Sequence, residues 1–129
     1  MLKSVVEMIG EARAEIELVS PDAVSKELAT GGPVIVDVRE PIEWERHIEG
    51  ALQVPRGLLE FVVDPASPRH NPELEPTRRV ILYCASGARA ALATHTLKNM
   101  GYQNVANMDG GLKAWIAADL PTVEHHGDL

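Results

Sequence analysis

The sequence predicts an α/β fold: a central parallel sheet of about five strands with helices on both faces. Three observations carry that expectation. Residues 33–38 and 79–83 are nearly continuous apolar runs, the pattern of strands buried on both sides. Segments with helical spacing of apolar residues alternate with such runs. Glycines and prolines punctuate the chain at the intervals expected of repeated strand–helix units.

Taken in order, Leu2, Val5, Val6, Ile9, Ala12 and Ile16 recur at helical spacing, predicting an amphipathic helix over residues 1–14 that packs on the rest of the chain. A dimer-forming arm is the alternative. Ile16 and Leu18 alternate with glutamates, as in a short edge strand. Ser20 is placed to cap a helix that Pro21 opens, and Gly31 and Gly32 stop it after Leu28. Beyond the strand at 33–38 come a short helical segment at 41–47, a brief strand within 50–55 and a helix at 58–63. Pro65, Pro68, Pro72 and Pro76 exclude regular structure from residues 64–77, which read as a long surface connector. The strand at 79–83 feeds a helix at 88–100 ended by Gly101. A last strand at 104–108, a tight turn at Gly110 and Gly111, and a helix at 112–118 follow. Residues 1–129 are expected to form one domain, with 1–15 a helical extension and 122–129 a polar tail. His125 and His126 are assigned to a mobile terminus rather than to a metal site.

Nineteen acidic against twelve basic residues give a net charge of −7, which argues against nucleic acid or an acidic membrane as partner. Affinity for an anion must then be local. A single cysteine excludes an internal disulfide and fits a reducing compartment. The first 18 residues carry charges throughout and hold no apolar stretch of leader or membrane length, so a cytoplasmic location is expected.

That cysteine, Cys84, ends an apolar strand and is followed by Ala85, Ser86, Gly87, Ala88 and Arg89 at the start of a helix. Unpaired N–H groups and the positive end of the dipole at such a position favour a thiolate and hold anions. The fixed charge of Arg89 adds to both effects. A buried core cysteine is the bland alternative. Its place at the carboxyl end of a central strand, followed by small residues and a glycine, favours a nucleophile.

Three separated segments together resemble the rhodanese sulfurtransferase family in its single-domain form, over nearly the whole chain. Asp37, Val38 and Arg39, with Trp44, His47-Ile48-Glu49-Gly50-Ala51 and Val54-Pro55, resemble the family's first segment. Cys84-Ala85-Ser86-Gly87-Ala88-Arg89-Ala90 resembles its active-site loop, and Met108-Asp109-Gly110-Gly111 with Trp115 its C-terminal segment. Arg46 stands where glycine is commoner, and Asp109 where glutamate or lysine is. The resemblance implies sulfur transfer from a small donor such as thiosulfate, through a persulfide on Cys84, to cyanide or a thiol. No cofactor or metal is called for. Residues 85–89 would bind the anion, and Arg89 the donor's sulfonate. Four residues separate Cys84 from Arg89; the related dual-specificity phosphatases have one more, so a phosphatase or arsenate reductase is disfavoured. A non-catalytic binding module of the same fold is the alternative from another class, against which the intact loop argues.

With no second cysteine in the sequence, the acceptor must be external: glutathione, cyanide, thioredoxin or another protein thiol. Oligomeric state, monomer or homodimer, is left open. Asp37 and Arg39 are read as an ion pair holding the sheet end, His47 as satisfying a backbone group, Trp44 and Trp115 as packing, and Gly110 and Gly111 as positions of positive φ or close approach.

Overall fold

The structure, a computed structural model, describes residues 1–125. Five parallel strands form the sheet in the order β1 (Glu17–Val19), β6 (Val105–Met108), β5 (Val80–Tyr83), β2 (Val34–Asp37), β4 (Leu52–Gln53). Strand alternation distributes the core. On β2 and β5, Val34, Val36, Val80 and Leu82 face one way and Ile35, Ile81 and Tyr83 the other. The first face is covered by α3 (Leu59–Val63) and α4 (Ala88–Met100) through Leu59, Val63, Ala90, Ala93 and Leu97. The second is covered by α2 (Pro21–Ala29) and α5 (Gly111–Ala117) through Val24, Leu112 and Trp115. The predicted layers are those observed.

Local signals act as the sequence reading expected at several ends. Ser20 accepts the Ala23 N–H at 3.2 Å and Pro21 opens α2. Gly101, at φ 110°, ends α4.

Three expectations change. Residues 41–47 were expected to be helical, but only Pro41–Glu43 forms a 3-10 turn. Arg46–His47 is a strand, β3, antiparallel to β7 (Val123–Glu124). A backbone pairing with residues 76 and 78 positions away in the chain wins there over a weak helical pattern. The expected polar tail is therefore tied down in part: Arg46 donates to Thr122, the His125 N–H to the Glu45 carbonyl, and the His125 ring lies 6.0 Å from that of His47. His126 lies outside the described residues.

The connector at 64–77 has no regular structure, yet Leu74 is completely buried in the first core face, pinning the loop to the sheet. The N-terminal helix, α1 (Val5–Glu15), packs on α4, with Ala12 buried, His95 bonded to Glu15 and Lys98 donating to the Glu15 carbonyl. Only part of its apolar stripe is used. Leu2, Val5 and Val6 remain exposed, because α4 meets the carboxyl half of α1 and Leu2 precedes the helix.

Candidate functional site

Cys84 stands directly beyond the carboxyl end of β5, 1% exposed, at the turn into α4. Its Sγ accepts the N–H of Gly87 at 3.1 Å and that of Ala90 at 3.4 Å. Gly87 is the N-cap of α4 and has no side chain to serve as acceptor, so the sulfur takes the place of a capping oxygen for the third helical N–H. Both N–H groups converge on the one sulfur.

The loop is held from beneath by α5. Leu112 N–H donates to the Cys84 carbonyl at 2.8 Å and Lys113 N–H to that of Ala85 at 3.0 Å. These bonds commit both loop carbonyls to the start of α5. The approach is close enough to require glycine: a Cβ on Gly111, whose φ is +62°, would lie 2.6 Å from Ala85 C and from Cys84 O. Gly87, at φ +101°, lies against the backbone of Gly110. Buried Asn107 of β6 adds a bond from Nδ2 to the Gly87 carbonyl at 3.3 Å.

Of residues 85–89, only Gly87 donates to the sulfur. Ser86 is exposed, Ala85 and Ala88 are half-buried, and Ala90, beyond the expected set, supplies the second donor. Arg89 is near enough for the cysteine's charge to act on it, but its guanidinium is not free. Nη1 and Nη2 bind Oε2 and Oε1 of Glu43 at 2.8 and 2.9 Å. Those hydrogen bonds hold the Glu43 carboxyl down at about 2 and push Arg89 up. Sequence reading missed Glu43; its spacing from Arg89 in the chain carries no local signal.

Asp37 and Arg39 form the ion pair expected of them. Arg39 Nη2 lies 2.8 Å from Asp37 Oδ2 with both side chains buried, and also donates to the Arg46 carbonyl at 2.8 Å. Tyr83, a second residue not singled out from sequence, joins them: its hydroxyl donates to Asp37 Oδ2 at 2.9 Å and accepts the Ile48 N–H at 3.1 Å. Burial pushes its ionisation well above the usual phenol range. The network fastens the carboxyl ends of β2 and β5 to the segment leading into β4. Trp44 Nε1 donates to the Arg39 carbonyl, His47 Nδ1 bonds the Trp44 carbonyl, and Trp115 is buried with Nε1 donating to the Pro121 carbonyl.

Two clefts, of about 460 and 350 Å³, are lined by residues other than Cys84 and its loop. Among the described residues no three His, Cys, Asp or Glu side chains are grouped to hold a metal ion, and no helix is long and apolar enough to cross a membrane.

A cysteine-bearing turn of this kind, on a five-stranded parallel sheet, defines a class. The family model for the rhodanese-like domain matches residues 20–118, and the chain belongs to that family. It is 35% identical over 111 residues to a protein named sulfurtransferase from Allochromatium vinosum, covering 84% of this chain and 96% of that one. Its fold matches a Rhodopseudomonas palustris protein of unknown function, described as a possible tyrosine phosphatase, with a TM-score of 0.88 and 35% identity over 95% and 96% of the two chains. The polysulfide-sulfur transferase homodimer of Wolinella succinogenes matches with a TM-score of 0.74 and 28% identity, over 92% and 85%. Other curated relatives are longer: the chain spans 19% of two of them and 47% of a third.

Proposed function

We propose that this protein transfers sulfane sulfur through a persulfide on Cys84. The observation that carries the reading is the pair of backbone N–H groups, from Gly87 and Ala90, aimed at Sγ at the mouth of a rigidly held loop. The thiolate attacks the outer sulfur of the donor. With thiosulfate the S–S bond breaks, sulfite leaves with the bonding pair, and the terminal sulfur stays on Cys84 as an anionic persulfide. An acceptor thiol or cyanide then removes it. Donors already in place stabilise the attacking thiolate. The sequence holds one cysteine, so the acceptor comes from outside it, a small thiol or a protein thiol such as a sulfur carrier.

Intact mass after incubation with a sulfane-sulfur donor tests this. The wild type gains one sulfur atom and Cys84→Ser gains none while keeping its circular dichroism spectrum. Turnover retained by Cys84→Ser defeats the reading.

The likeness to a protein described as a possible tyrosine phosphatase gives phosphate-ester hydrolysis a hearing. Against it stand a loop with four residues between Cys84 and Arg89, only two N–H groups on the sulfur, and an arginine already bound by Glu43. No Cys84-dependent hydrolysis of an aryl phosphate is expected; vigorous hydrolysis would promote the phosphatase.

A further inference from the structure

We propose that Lys113 receives the oxyanion end of an anionic sulfur donor, so that α5 supplies the donor-recognising charge beside the cysteine loop. The inference rests on the persulfide reading of Cys84. A chain of net charge −7 repels a dianion such as thiosulfate as a whole, so a donor of that class needs a cation close to the sulfur. Arg39 and Arg89 are engaged within the protein, the first with Asp37 and the second with Glu43. Lys113 differs from both: it is exposed, and among the described residues it enters no ion pair. Asp109, the carboxylate nearest to it in the chain, is taken by Arg13 at 3.0 Å.

Backbone geometry fixes its place. Lys113 is the third residue of α5, and its N–H donates at 3.0 Å to the carbonyl of Ala85, the residue after Cys84. Cα–Cβ bonds lean toward the amino end of a helix, and the amino end of α5 is the one packed against the cysteine loop, where a Cβ on Gly111 would lie 2.6 Å from Ala85 C. The side chain therefore starts beside the loop and leans toward it, and its flexible four-carbon stem lets the ammonium follow a ligand. When the Cys84 thiolate attacks the outer sulfur of thiosulfate, the S–S bond breaks and the bonding pair moves onto the sulfonate sulfur, which departs as sulfite. Negative charge on the oxyanion end grows as that bond breaks, so a cation held there favours the transition state over the bound donor. No proton is transferred in the step.

The test follows mass gain at Cys84, the single thiol, with three reagents: thiosulfate, which leaves one sulfur atom; iodoacetate, an anionic alkylator; and iodoacetamide, its neutral counterpart. In both alkylations the thiolate displaces iodide. Lys113→Gln should lower the thiosulfate rate about tenfold at low salt, the scale on which local charge alters the arrival of an anion. It should also lower the ratio of the iodoacetate to the iodoacetamide rate while leaving iodoacetamide itself unchanged. Lys113→Arg, which keeps the charge, should keep the wild-type rates. Lys26→Gln removes another exposed lysine, in the last turn of α2 and toward the opposite end of the sheet, and should change none of the three. The wild-type thiosulfate rate should fall as salt is added, and that slope should flatten in Lys113→Gln. Equal slowing by Lys26→Gln, an unchanged preference for anions in Lys113→Gln, or a wild type that thiosulfate does not load would overturn the role of Lys113 while leaving sulfur transfer standing. If no sulfane-sulfur donor leaves a sulfur on a Cys84 that iodoacetamide still alkylates, the persulfide reading falls and takes this inference with it.

Discussion

Asp37, Arg39 and Tyr83 show how single residues are made expensive to change. Two charges and a phenol hydroxyl share one buried cluster, and each relies on the others for its hydrogen bonds. Asp37→Asn leaves the Arg39 guanidinium buried beside a neutral group, and a cost of about 3–5 kcal/mol is expected from the loss of one partner of a buried pair. Tyr83→Phe is milder: the Ile48 N–H and Asp37 Oδ2 each lose one partner, for about 1–3 kcal/mol. Urea denaturation of both variants checks the ranking. Equal, small effects would mean that water satisfies the cluster when the protein side fails.

At the scale of elements, the cysteine turn is shaped by the start of α5 more than by its own residues. The Gly111 backbone lies so close to Ala85 and Cys84 that any side chain must push the loop away. Gly111→Ala is expected to cost about 2 kcal/mol or more, combining strain at positive φ with the contact itself, and to abolish sulfur loading of Cys84. Gly101→Ala is the matched control. It also has positive φ, but a Cβ there meets nothing within 4 Å, so it should lower the melting temperature and leave loading unchanged. Loss of loading in both variants would point to general destabilisation rather than to the contact beneath the loop.

Across the whole molecule, ion pairs join segments far apart in the chain and make stability depend on acid. Arg79 ties β5 to Glu17 of β1 and Glu27 of α2, while Arg89 ties α4 to Glu43. The Glu43 carboxyl is lowered from 4.5 to about 2, chiefly by its hydrogen bonds with Arg89, and the hydrogen bond with Arg79 lowers Glu17. A carboxyl depressed in the folded state contributes stability that is complete above its unfolded value and disappears as pH falls through the folded one. The melting temperature of wild type should therefore exceed that of Glu43→Gln at pH 7, and the gap should close between about 4.5 and about 2. With Arg89 40% and Glu43 30% exposed, solvent screens the pair, and the gap should be small. A gap that persists at pH 2 would show that Glu43 acts through packing instead of charge.

The order of the five parallel strands and the helices around them, the two buried strands, the cap at Ser20 and the cysteine at a strand's carboxyl end were legible in the sequence because each is written in neighbouring residues. Apolar runs, capping side chains and glycines act over a few positions, and the backbone responds to them locally. Gly110 and Gly111 could be read as sites of close approach, though not what they approach. Tertiary structure alone decided that Glu43 faces Arg89 across 46 positions, that Arg46–His47 pairs with Val123–Glu124, that Leu74 of a proline-rich loop is buried, and that part of the α1 stripe stays exposed. Each of these depends on which surfaces meet after the sheet has formed. The sequence by itself determined where a reactive sulfur would stand; the charge left around it was decided by the side chain that folding brought opposite Arg89.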